Sequence, residues 1–298
     1  MTGLIAIDWG TTSFRAWRMD ADGGVKDTVS RGPGILAAAD QPGGFAGALR
    51  AAIGAWLDGT PIIASGMITS RNGWVETPYL PLPLTAADLA GALVCRQTDD
   101  GPIHFVTGAI RNAPGLAPDV MRGEETEIIG QLAAGGGDGT YLLPGTHSKW
   151  ATITGGRLTD FQTVMTGEVF ATLSQHSILG RLMQSGQSSA DAFAQGLLAG
   201  GAPGPLAARV FSARTLALTG QMAETDISDY LSGLLIGDEV AQMAATLSDT
   251  PVTIIGRGDL ADRYARALDG IGASSVVAAP GMAGRGLYEI ARRAGIIA

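Results

Sequence analysis

Cysteine is nearly absent from this 298-residue chain: Cys95 stands alone, so neither an internal disulfide nor a cysteine-based zinc site can form. Long apolar runs are missing as well. None approaches the roughly 18 residues that a membrane span requires. The opening Met1-Thr2-Gly3-Leu4-Ile5-Ala6-Ile7-Asp8 meets a carboxylate too soon for a signal peptide. A cytoplasmic protein is therefore expected. Positive charge is also in short supply. The net charge is −8, and an acidic surface repels phosphate backbones and anionic lipid, which argues against nucleic-acid and membrane partners. A small anionic ligand answers to local charge and stays open. What the chain does have is 46% hydrophobic residues, enough to fill two domain cores or one large α/β domain. It also has 44 glycines, placed where turns and ligand loops are expected.

Read along its length, the chain opens with a short apolar strand, Leu4 to Ile7, running into Asp8-Trp9-Gly10-Thr11-Thr12-Ser13. A strand from Phe14 to Met19, a turn at Asp20–Gly24 and a strand near Val25 to Ser30 follow. Apolar periodicity predicts a helix over 43–57, and Pro61 to Ala64 reads as a buried strand. The segment Ser65 to Pro83, with prolines at 78, 81 and 83, cannot form a regular helix, and so long a loop is usually functional. A helix near 85–95 and a strand near 103–107 come next. A helix from Gly123 to Ala134 carries Glu124, Glu125 and Glu127 in its first turns, where the macrodipole favours negative charge. Strands at 150–154 and 157–164 precede a largely helical stretch from Glu168 to about Ala245. A strand at Val252–Ile255, a helix, a strand near 274–278 and a closing helix over 282–294 complete the chain.

Two stretches share one grammar. Leu4–Ile7, Gly10-Thr11-Thr12-Ser13, a strand, Gly23-Gly24 and a strand are matched by Tyr141–Leu143, Gly145-Thr146-His147-Ser148, a strand, Gly155-Gly156 and a strand. This repeat predicts two homologous domains facing each other. Glycine lets the backbone approach a phosphate, successive amide groups form an anion nest, and hydroxyls add donors. Two such turns on opposing domains would clamp the β- and γ-phosphates of ATP. Asp8 of the first copy aligns with Leu143 of the second, so only one turn carries a carboxylate. Beside phosphate its natural role is to hold Mg²⁺ through water, the alternative being a cap on the following turn.

Asp8–Ser13 and Leu143-Pro144-Gly145-Thr146-His147-Ser148-Lys149-Trp150 resemble the two phosphate motifs of the actin/hexokinase/sugar-kinase superfamily. Ser65-Gly66-Met67, Met121-Arg122-Gly123-Glu124-Glu125-Thr126, Gly145–Trp150 and Met165-Thr166-Gly167-Glu168 together resemble the 2-dehydro-3-deoxygalactonokinase family, nearly end to end. The resemblance implies an α/β fold of two ribonuclease H-like (actin-like ATPase) domains facing a central cleft. With them it implies ATP and Mg²⁺ as cofactors and phosphoryl transfer to the terminal hydroxyl of 2-dehydro-3-deoxy-D-galactonate, a step in galactonate catabolism. A kinase for another sugar or sugar acid, and a phosphohydrolase of the same fold, are the alternatives. The domains are placed at 1–120 and 121–298, with the closing helix able to pack back on the first, and a homodimer is left open.

The acceptor hydroxyl needs an orienting carboxylate. Related carbohydrate kinases place an aspartate just after a helix-opening glycine; here Glu124 and Glu125 hold that place, and the choice between them stays open with a slight preference for Glu124. A sugar acid also needs a cationic partner. Arg71, in the proline-bounded loop, is the first candidate, with Arg15 and Arg122 next, and Ser65-Gly66-Met67 beside them. Lys149 is expected to face ATP phosphate. His147 is read as a phosphate donor or as structural, while His104 and His176 are read as packing residues. Gly256-Arg257-Gly258, where a strand breaks into a helix, resembles the adenosine-side motif.

Overall fold

Leu4–Trp9 (β1) is an almost uninterrupted apolar run, the pattern of a strand covered on both faces. In the computed structural model, which describes residues 3–256 and 258–297, it lies inside a six-stranded sheet. Phe14–Met19 (β2) pairs antiparallel with β1, and Val25–Val29 (β3) pairs antiparallel with β2. Two helices follow, Ile35–Ala38 (α1) and Gly44–Ile53 (α2). Ile62–Ser65 (β4) then lies parallel to β1 on its other side. After the short strand Tyr79–Pro81 (β5), Ala86–Gly91 forms α3, started by a capping box in which Thr85 and Asp88 satisfy each other's backbone N–H groups. Val94–Thr98 (β6) and Gly101–Phe105 (β7) complete the sheet in the order β3-β2-β1-β4-β7-β6. Gly108–Arg111 (β8) and Asp119–Met121 (β9) join β5 in a small second sheet, and Glu124–Ala133 forms α4.

The second half repeats the plan. Gly139–Leu143 (β10), Ser148–Thr154 (β11) and Arg157–Val164 (β12) are followed by the helices Thr166–His176 (α5), Ala190–Gly201 (α6), Leu206–Arg209 (α7), Ser212–Leu218 (α8) and Ile227–Met243 (α9). Val252–Ile254 (β13), Gly258–Gly270 (α10), Ser275–Val277 (β14) and Met282–Arg293 (α11) end the chain. The sheet order β12-β11-β10-β13-β14 mirrors β3-β2-β1-β4-β7, with β13 parallel to β10 and β14 parallel to β13. The repeat expected from the sequence is thus present as topology.

Contacts divide the chain into two units. The first comprises residues 1–138, 151–161 and 279–298, the second 139–150 and 162–278. The division after Asp138 differs from the boundary at 120/121 expected from the sequence, because β9 and α4 group with the first unit. The closing helix does so as well. Within the first unit, one face of the sheet buries Ile5, Ile7, Phe14 and Phe105 with Leu49 and Ile53 of α2. In the second, Leu142, Ile254, Ile236, Val240 and Tyr264 form the core around α9 and α10.

Glycines allow two helix pairs to touch backbone to backbone. On α6 and α9, a Cβ added at Gly196 or Gly200 would collide with the Tyr230 or Leu234 carbonyl, and one at Gly233 would collide with the Phe193 carbonyl. On α4 and α11, Gly130 and Gly286 meet the Met282 and Thr126 carbonyls in the same way.

Two expectations need correction. The helix foreseen over 85–95 stops at Gly91, and 94–98 is a strand, because Val94 and its neighbours pair in register with β7. His176 is exposed at the end of α5 and does not pack in a core. Among the described residues, no helix is long and apolar enough to cross a membrane.

Candidate active site

In the first unit the ends of β1 and β4 and the start of α4 converge. Asp8 stands opposite Arg15 on β2 and beside Ser65 on β4. Its carboxylate accepts a hydrogen bond from the Arg15 guanidinium, which also lies 3.8 Å from Glu127 on α4. The Gly10–Ser13 turn is held by its own carbonyls. Gly10 donates to Ser13 O at 2.9 Å, and the Gly10 carbonyl accepts from Ile35 N at 3.0 Å. The N–H groups of Thr11, Thr12 and Ser13 have no acceptor among the described residues, and all three residues are exposed. That is the arrangement an anion nest requires.

Gly66 has φ +91° and Gly123 φ +112°, conformations that exclude most side chains. A Cβ on Gly66 would lie 2.9 Å from the Trp9 carbonyl and 3.0 Å from Asp8 Oδ1, and one on Gly123 would lie 3.2 Å from Gly66 Cα. Two segments singled out in the sequence, Ser65-Gly66-Met67 and Met121–Thr126, are therefore neighbours around Asp8. Ser65 Oγ is buried without a hydrogen-bond partner.

Burial separates the two glutamates. Glu125 is 1% exposed; its carboxylate accepts from Gly123 N at 2.7 and 2.9 Å and from the Thr126 hydroxyl at 3.1 Å. Burial, followed by the charge of Glu124, pushes its pKa up to about 7. Glu125 is turned into the protein, and Glu124 is the more accessible of the two glutamates. Glu124 is half-buried and accepts from Arg122 N at 3.0 Å.

The arginines also differ. Arg122 reaches into the 65–83 loop, donating to Thr69 Oγ1 (2.8 Å), Thr77 Oγ1 (2.6 Å) and the Thr77 carbonyl (3.0 Å), with its guanidinium 4.3 Å above the Tyr79 ring. Its Nε is buried and has no partner. Arg71 is 86% exposed, 3.6 Å from Glu76.

In the second unit, Gly145, Thr146 and His147 form the matching turn. No described residue accepts their N–H groups. Glu168 N donates to the Thr146 carbonyl at 2.9 Å, and the His147 ring pairs with the Glu168 carboxylate. Gly167 lies so close to the Gly145 carbonyl that no side chain would fit there. Ser148 departs from expectation. It is fully buried, and its hydroxyl bonds Tyr264 OH at 2.9 Å, so that hydroxyl is no donor to phosphate. Lys149 is buried too, its ammonium 3.5 Å from the His147 carbonyl.

Beside this turn opens a cavity of about 360 Å³, whose lining includes Gly145, Thr146, Gly167, Ser232, Ile236 and Tyr264. The first turns of α10 contribute Asp259, Leu260 and Arg263. Gly256, just before α10, packs on Pro144, and Ile255 N donates to the Leu142 carbonyl at 2.8 Å, so the expected adenosine-side segment and the phosphate turn are neighbours. Gly258 is the first residue of α10, while Arg257 lies outside the described residues. Ser232 and Arg263 carried no signal of their own in the sequence, since they sit inside helices without a glycine turn; Gly167 was visible only as part of the Met165–Glu168 motif.

No group of three or more metal-ligating side chains occurs among the described residues. Magnesium does not require one, since it keeps most of its waters and needs one or two carboxylates plus substrate phosphates. Asp8 fits that role. Its carboxylate lies near the end of β1, bonded through Oδ2 to Arg15, and a side chain at Gly66 would crowd Oδ1.

The family model for 2-keto-3-deoxy-galactonokinase matches residues 8–290. The chain belongs to this family. An Escherichia coli (strain K12) 2-dehydro-3-deoxygalactonokinase is 33% identical over 270 residues, 90% of each chain. The crystal structure of a Sinorhizobium meliloti protein described as a candidate 2-dehydro-3-deoxygalactonokinase superposes with a TM-score of 0.87 at 34% identity, covering 97% of this chain and 96% of that one. The (R)-2-hydroxyglutaryl-CoA dehydratase component A of Acidaminococcus fermentans, 11% identical, covers 100% of this chain and 99% of its own with a TM-score of 0.56. That likeness carries the fold alone, a mixed α/β fold. The turns and the cavity described above lie within the span that the family model matches.

Proposed function

We propose that this member of the family transfers the terminal phosphoryl group of ATP to the terminal hydroxyl of 2-dehydro-3-deoxy-D-galactonate, giving the 6-phosphate and ADP, as a cytoplasmic step of D-galactonate catabolism. The family match over residues 8–290 carries this reading. The repeated strand–turn–hairpin supports it in physical terms, since each unit presents a turn whose N–H groups lack acceptors among the described residues.

In this reading the units are two ribonuclease H-like domains, and the Gly10–Ser13 and Gly145–His147 turns each bind ATP phosphate. The cavity beside Tyr264 and Arg263 takes the adenosine. Glu124 accepts the proton of the acceptor hydroxyl as its oxygen forms the new bond to the γ-phosphorus and the bond from that phosphorus to the β–γ bridging oxygen breaks, with ADP leaving. Asp8 would hold Mg²⁺, which when bound would offset charge on the transferring phosphoryl group. Ser65, Gly66 and Met67 shape the sugar-acid side, and Arg71 is the first candidate for its carboxylate, with Arg15 and Arg122 next.

A coupled ADP-release assay over a panel of sugar acids tests this. ADP release that depends on 2-dehydro-3-deoxy-D-galactonate is expected. Release at the same rate with no acceptor would instead indicate a hydrolase, and a faster rate on another sugar acid would reassign the substrate.

A further inference from the structure

Beneath the second turn lies a carboxylate that the chemistry above leaves without a task. Glu239, on α9, is 2% exposed in the core that holds Leu142, Val240 and Ile254. A buried carboxylate is costly unless donors match its oxygens. Here they do. Trp150 Nε1 donates to Oε1 at 2.7 Å, the Tyr264 hydroxyl donates to Oε2 at 2.6 Å, and the Thr166 hydroxyl adds a further bond. Tyr264 in turn bonds Ser148 Oγ. For stability alone, an apolar side chain of similar volume often serves equally well.

The partners of Glu239 all belong to the nucleotide side. Ser148 and Trp150 open β11 and so fix the exit of the Gly145–His147 turn. Thr166 opens α5, next to Gly167 against the Gly145 carbonyl. Thr166 and Tyr264 both line the cavity. We propose that Glu239 is a positioning residue for nucleotide binding: one carboxylate that holds the second phosphate turn, the start of α5 and the α10 wall of the cavity in fixed relation. The assignment rests on the reading of that cavity as the ATP site.

Glu239→Met keeps the volume, leaves Trp150 Nε1 without its acceptor and removes the carboxylate that joins it to the Tyr264 hydroxyl. The KM for ATP is expected to rise about tenfold while the KM for the sugar acid stays within about twofold. Glu239→Gln keeps an acceptor for Trp150 and should restore most of the loss. Leu234→Ala, a fully buried position on the same helix outside the cavity lining, serves as the instability control, lowering Tm without moving either KM. A wild-type KM for ATP in Glu239→Met, or an equal rise for both substrates, overturns the assignment. The same holds if Leu234→Ala reproduces the ATP effect. Failure of the underlying site reading looks different: calorimetry on the unmutated enzyme would then show no Mg·ATP binding, and both ideas fall together.

Discussion

Glu124 and Glu125 are adjacent in the chain and chemically identical, yet one is half-buried and the other is 1% exposed. The sequence could not choose between them, because both occupy the first turn of a helix; what tells them apart is burial, set by which one the β9–α4 bend turns inward. Glu124→Gln is expected to lower kcat by about a hundredfold with little change in either KM, since base or orienting catalysis is worth about 10²–10⁴. Steady-state kinetics with both substrates varied checks this, and a wild-type kcat would remove Glu124 from the reaction. Glu125 makes a separate prediction, about stability. Its pKa is raised in the fold from 4.5 to about 7, so the folded state binds the proton more tightly than the unfolded one. Its unfavourable contribution is absent below about pH 4.5, grows as pH rises, and is complete above about pH 7, reaching on the order of 3 kcal/mol. Urea denaturation from pH 5 to 7.5 should show wild type losing stability relative to Glu125→Gln as pH rises. A constant difference between the two would count against the buried-carboxyl account. Ser148 was misread for a similar reason: a hydroxyl in a Gly-Thr-x-Ser turn looks available until the direction of its side chain is known.

Among the elements, the strands and the repeat were legible because a Gly-Thr-x-Ser turn between an apolar strand and a returning hairpin leaves a pattern in the chain. β6 was not, since Val94–Thr98 pairs as a strand only through β7, a partner that comes later in the chain. The α6–α9 crossing was hidden too. Gly196, Gly200 and Gly233, spread over two helices, look like poor helix formers until the helices are brought together. Gly233→Ala gains about 1 kcal/mol of helix propensity but forces the backbones apart, at a cost of about 1–3 kcal/mol. A net fall in Tm is expected. Gly201→Ala is the natural comparison, because a Cβ there meets nothing within 4 Å; it should leave Tm unchanged or raise it. Equal effects at the two positions would mean that the close approach does not matter.

At the level of the whole molecule, the expected α/β class and the family were readable from motifs that span the chain, while the division of the chain was not. The interruptions at 151–161 and 279–298 depend on where distant segments settle. If both turns serve a single triphosphate, Thr11→Val and Thr146→Val should each raise the KM for ATP by about fivefold or more, as expected for loss of a hydrogen bond to a charged group. Unchanged values in both variants would separate the turns from the nucleotide. The return of α11 has a consequence of its own. Gly286 and Met282 complete the contact with α4, yet they leave the ribosome only after every residue of the second unit. The half made first must therefore wait, with the sheet face and helix that α11 will cover still bare, until the half made last has emerged; the N-terminal lobe is the later of the two to be finished.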